Sequence, residues 1–139
     1  ATSYVEFEDV KIGEFYAFAG EAKDAVVLFV VEGFGKSNYH AQYLAFFVGV
    51  PNLNTEEPVK KQFRLQALSQ VGGRGQFNAR IESVNEKEKY IQLIGCSHKP
   101  GDAFCCASQP TVVRYSFAGG TLVEIDKRSL ANKEFKCAG

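Results

Sequence analysis

The sequence has no methionine and no tryptophan, and only two of its 139 residues are histidine. A chain that starts at Ala1 without an initiator is expected to be processed, its targeting peptide already removed. Net charge is missing too: sixteen Lys and Arg balance sixteen Asp and Glu, and the longest charged stretch is the mixed Asn85-Glu86-Lys87-Glu88-Lys89. Without a clustered basic face, neither nucleic acid nor an anionic membrane is an expected partner. No apolar run exceeds the seven residues 25–31, which is too short for a membrane span, so a soluble protein is expected. Fixed-period repeats, low-complexity tracts and Asn-x-Ser/Thr acceptors are absent as well, so glycosylation offers no support for secretion.

What remains is rich in apolar material. Hydrophobic residues make up 45% of the chain and twelve are Phe, enough for one core in one domain, residues 1–139, and too much for a disordered chain. Four cysteines, Cys96, Cys105, Cys106 and Cys137, fall in the last third. In a chain this small they predict a disulfide framework and an oxidising, extracellular location. Zinc is the competing use, but it favours two closely spaced pairs rather than an adjacent pair with two distant singles. A Cys105–Cys106 bridge would strain the peptide between them. The expected pairing therefore joins Cys96 to one member across residues 97–104 and Cys137 to the other.

Apolar and polar residues alternate with period two along much of the chain, the pattern of half-buried strands. In Gln62-Phe63-Arg64-Leu65-Gln66-Ala67-Leu68 the alternation puts Phe63, Leu65 and Ala67 on one face. Gln76-Phe77-Asn78-Ala79-Arg80-Ile81-Glu82 repeats it after Gly72-Gly73-Arg74-Gly75, read as a hairpin turn. Further strands are predicted over 14–19, 25–33, 41–50, 89–96, 111–117 and 121–126. The last two form a hairpin across Ala118-Gly119-Gly120, with Val113, Tyr115 and Phe117 on one face and Val112, Arg114 and Ser116 on the other. About eight strands without crossover helices predict an all-β antiparallel up-and-down barrel, with a β-sandwich as the alternative. Residues 51–58 read as an exposed loop, and 129–136 as one or two helical turns capped by Ser129.

Candidate chemistry is sparse. His40 and His98 sit near predicted loops outside any nucleophile motif, so the chain is not read as an enzyme and no cofactor is expected. Gly72-Gly73-Arg74-Gly75 precedes a strand rather than the helix a phosphate loop needs, which favours a hairpin turn over a phosphate loop. Aromatic residues recur along the strands. Inside a barrel of about eight strands there is room for one small ligand, and Phe18, Phe29, Tyr43, Phe63, Tyr90, Tyr115 and Phe117 are the candidate lining. Arg64, Arg80 or Arg114 could pair with a ligand carboxylate if the polar face turned inward.

The stretch Phe7-Glu8-Asp9-Val10-Lys11-Ile12-Gly13-Glu14-Phe15-Tyr16-Ala17-Phe18-Ala19 resembles the first conserved region of lipocalins, in which an aromatic precedes Gly-x-Trp-Tyr. Phe7, Gly13 and Tyr16 match in kind, and Phe15 stands where the family has its tryptophan. Divergent salivary lipocalins of blood-feeding ticks, which lose that motif and gain cysteines, are the nearest subgroup. The resemblance implies an eight-stranded barrel that carries a small apolar or amphipathic molecule or captures a host mediator. Gly13, Phe15 and Tyr16 would then close its base. A secreted interaction or inhibitor module, contacting a protein partner through residues 51–58 and 97–104, is the second expectation.

Overall fold

Valine, isoleucine, phenylalanine and tyrosine alternating with polar residues suit a pleated, half-buried surface, and among the described residues they build eight strands. The computed structural model describes residues 10–17, 24–32, 40–51, 61–73 and 75–137. Strands β1 (Val10–Ala17), β2 (Ala25–Glu32), β3 (His40–Pro51) and β4 (Lys61–Gly73) form one antiparallel sheet in that order. Strands β5 (Phe77–Asn85), β6 (Tyr90–Ser97), β7 (Gln109–Ser116) and β8 (Val123–Ser129) form a second, also in chain order. The protein is therefore all-β, with two four-stranded antiparallel sheets among the described residues. Among the described residues no ladder joins β4 to β5 or β8 to β1, and no helix is long and apolar enough to cross a membrane.

Both sheets contribute to one core. Val26, Leu28, Leu44, Phe46 and Val71 from the first pack with Phe77, Ile91, Leu93, Val113, Tyr115 and Phe117 from around the second. Val113, Tyr115 and Phe117 all point inward, as the alternation predicts. The hairpin into β8 also forms as expected, its turn made by Gly119 and Gly120 at φ 74° and 76°, a region open to glycine.

The glycine segment between β4 and β5 has a different role from the predicted hairpin. It carries the chain from one sheet to the other, with Gln76 N–H donating to Gly73 O at 3.1 Å. A side chain at Gly72 would collide with Phe77 O, so the backbones meet closely at this corner. There β5 also docks against the end of β3. Gln42, almost fully buried, donates through Nε2 to Ala79 O (2.9 Å) and accepts from Ala79 N–H at Oε1 (2.8 Å). Its amide thus substitutes for a neighbouring strand on the β5 edge. Beside it, His40 Nε2–H donates to Asn78 Oδ1 at 2.9 Å.

Bulges overturn one predicted face. Phe46 pairs with Ala67 but Phe47 pairs with Leu65, so Gln66 is an extra residue in β4. That insertion sends Leu65 to the face opposite Ala67, and Leu65 and Leu68 are about half exposed. The lipocalin-like Gly13, Phe15 and Tyr16 lie on β1, where Gly13 falls at a bulge between Ile12 and Glu14. Phe7, Phe18 and the loop 52–58 lie outside the described residues.

The cysteine pairing also differs from expectation. Cys96 bonds Cys137, with Cα atoms 5.8 Å apart, and Cys105 bonds its neighbour Cys106. Cys96 is on the outward side of β6, where the C-terminal tail arrives, whereas the adjacent pair sits in the β6–β7 loop. Two disulfides and no free thiol among the described residues suit an oxidising compartment. The predicted helix over 129–136 is replaced by a turn. Ser129 still pairs with Thr111 in β8, and Leu130 N–H continues outward to Pro110 O at 2.9 Å, so Ser129 cannot cap a helix. Glu134 N–H then closes the turn on Ala131 O at 2.9 Å.

Candidate functional site

Where the β7–β8 turn approaches the first sheet, the two sheets leave a cleft of about 460 Å³. Its apolar wall is Phe46 and Val48 from β3 and Phe117 after β7; Asp24, Gln66, Lys89 and residues 118–120 complete it. Alternation along β3 aims Phe46 and Val48 to the side that Leu44 occupies in the core. Phe117 follows Val113 and Tyr115 on the same face, and its ring lies 5.1 Å from that of Phe46 at 43°. These two rings are the end of the core as it reaches the opening.

The polar rim is held by the turns. Lys89, at φ 61°, ends the β5–β6 turn and accepts Phe117 N–H at its carbonyl, 2.9 Å away. Its Nζ lies 5.9 Å from the Phe117 ring centroid, within reach of a cation–π attraction. Asp24 Oδ1 accepts Gly49 N–H at 3.2 Å, and Gln66 Nε2 donates to Gly120 O at 3.3 Å. A Cβ on Gly120 would come within 2.7 Å of Gln66 Nε2, so glycine permits that approach as well as the turn. The cleft combines an aromatic wall with one anionic and one cationic group. It can take up a small molecule with an apolar body and a polar end.

The structure divides the seven candidate lining residues. Phe117 is in the cleft and Tyr115 deeper in the core, where burial, and then the Glu124 carboxylate, push its phenol above the usual range. Phe29 and Tyr43 stack on each other at 5.5 Å on the face of the first sheet turned from the core. Tyr90 is on the outward face of the second sheet, under Arg114 at 4.5 Å. Phe63 belongs to β4, and Phe18 lies outside the described residues.

The arginines also face outward rather than into an interior. Arg114 donates to Gln92 Oε1 at 2.8 Å, and Arg80 sits 5.6 Å from the Phe135 ring of the tail. His40 serves the β3–β5 junction described above. His98 Nε2–H donates to Ala103 O at 2.7 Å, closing the β6–β7 loop. Sequence reasoning passed over Phe46, Val48 and Lys89. Phe46 and Val48 lie in the unbroken apolar run 43–48 of β3, which has no alternation to choose a face, and no local signal shows that Lys89 meets Phe117.

Comparison with family models, with curated proteins and with solved structures finds no match to this chain, so the lipocalin resemblance rests on its few quoted residues alone.

Proposed function

We propose that this is a secreted binding protein that holds a small amphipathic molecule in the cleft where its two sheets open. The reading is carried by one observation: Phe46 and Phe117 stand at the mouth of the core with Lys89 and Asp24 on the rim. Phe46 and Phe117 are themselves only 5% and 4% exposed, so the gain comes mainly from the ligand's own apolar area, at about 25 cal/mol per Å² removed from water. An anionic end meets Lys89, and a cationic end meets Asp24. The barrel of the sequence reading becomes, in this proposal, an open pair of sheets whose ligand enters from the β7–β8 end. The two disulfides support secretion.

Titration with a fluorescent fatty acid and with a fluorescent alkylammonium of equal chain length tests the reading. Saturable binding of the fatty acid, weakened in Lys89→Asn, is the expected result. Asparagine tolerates the positive φ of that position, so the variant keeps the turn. No saturable signal from either probe would sink the proposal.

A protein-interaction role is favoured by a separate observation. Phe104 is 69% exposed on the β6–β7 loop, far more than an aromatic in a filled core. Its ring covers Gly75, whose missing side chain leaves room for it, and it lies 6.2 Å from the His98 ring. Loss of binding to an immobilised partner in Phe104→Ala, with lipid-probe binding unchanged, would assign function to the loop instead.

A further inference from the structure

The two disulfides do different physical work. Cys96–Cys137 spans 41 positions and ties the tail to the second sheet, whereas Cys105–Cys106 links neighbours and closes no length of chain. A crosslink stabilises chiefly by restricting the unfolded chain, so the second bond adds little to stability. It also sits where a reagent can reach it, since Cys105 is exposed and Cys106 half-buried in the loop between β6 and β7.

The loop around it is built by other contacts. The Asp102 carboxylate accepts Lys99 N–H at 2.9 Å, Ser108 N–H at 3.0 Å and the Ser108 hydroxyl at 2.8 Å. Asp102 N–H donates to Lys99 O (3.0 Å), Cys106 N–H to Ala103 O (2.9 Å) and His98 N–H to Gln76 O (2.9 Å). None of these bonds uses a cysteine sulfur, so opening the disulfide removes none of their donors or acceptors.

We propose that Cys105–Cys106 is a thiol–disulfide exchange site, opened and closed by a dithiol reductant while the rest of the protein stays folded. A thiolate of the dithiol attacks Sγ of Cys105, the more exposed residue of the pair. The S–S bond breaks, and its electron pair leaves on Cys106 Sγ, which takes a proton. The second thiol of the reductant then attacks the mixed disulfide and leaves as its own cyclic disulfide, releasing Cys105 as a thiol. Two electrons and two protons pass to the protein. Reduction converts the disulfide next to Phe104 in the chain into two adjacent thiols, and so changes the chemistry of that loop surface. This inference is independent of the ligand cleft.

The test is limited reduction of the native protein with dithiothreitol, trapping with iodoacetamide and peptide mapping by mass spectrometry. Circular dichroism is followed in parallel, and phenylarsine oxide, which bridges adjacent thiols, is added before trapping. Cys105 and Cys106 should be alkylated at least tenfold faster than Cys96 and Cys137, with the β-sheet spectrum unchanged and the arsenical blocking both at one equivalent. Simultaneous opening of both bonds, loss of the spectrum on reduction, or peptides joining Cys105 or Cys106 to Cys96 or Cys137 would overturn the proposal. The double variant C105S/C106S supplies a check on stability. Its melting temperature should stay within about 2 °C of the parent, well under the shift that a loop-closing bond produces, and a larger fall would make the bond structural.

Discussion

Replacing Gln42 by leucine removes the amide that joins the sheets while keeping a side chain of similar volume. In the parent, both hydrogen-bonding groups of Ala79 are met by that amide, at 2.8 and 2.9 Å. Ladder pairing with β6 does not replace them, because the Ala79 groups involved face the free edge of β5. Each lost bond is worth about 1 kcal/mol net, and a half-buried peptide group left unpaired adds about 1 kcal/mol more. The variant should therefore lose about 2–4 kcal/mol, read as a lower urea midpoint with unchanged slope. Glutamate at the same position supplies a second reading. Its carboxylate accepts from Ala79 N–H but opposes Ala79 O, and only the protonated form reproduces the amide. The folded protein then holds that proton more tightly than the unfolded chain, so stability in Gln42→Glu should rise as pH falls toward the carboxylate range, relative to the parent. A cost under about 0.5 kcal/mol for leucine, or a flat pH difference for glutamate, would refute the clamp.

Three further outcomes follow from the same structure. Removing the long disulfide in C96S/C137S should cost up to about 4 kcal/mol by loop-closure entropy, and a urea midpoint equal to the parent's would show that the tail is not held there. Gly95→Ala places a methyl against Asn78 O and within 2.7 Å of the Ala79 Cα, so β5 and β6 must separate; a loss of about 2–4 kcal/mol is expected on thermal unfolding, and parent-like stability would contradict this register. The Asp102 carboxyl is held below its ordinary value, first by Lys99 N–H and next by the Ser108 hydroxyl. The loop's carboxylate-dependent stabilisation is complete above the unfolded pKa and is lost as pH falls through the folded one, so NMR amide shifts of Lys99 and Ser108 should titrate below the usual Asp midpoint of about 3.9; a midpoint at or above it would remove the network.

Strand positions were readable because alternation is a local property. Val113, Tyr115 and Phe117 could be assigned to one face from spacing alone, and they are buried together. The same reasoning failed in β4, where the extra Gln66 reverses the sides of Leu65 and Ala67: a bulge is set by pairing with β3, not by the strand's own residues. The aromatic candidates divided for a related reason. Phe29, Tyr43 and Tyr90 have the composition of a lining, but which face turns inward depends on how a sheet packs against the other.

The apolar composition and the two-residue period determined a β-rich chain, and four cysteines in a small chain determined its disulfide chemistry. Tertiary structure alone decided that the glycines before β5 change sheets, that Cys137 reaches Cys96, and that Lys89 meets Phe117 at the cleft. Each of those joins residues whose separation is fixed by the packing of distant strands, and no window of sequence contains both partners and the geometry between them.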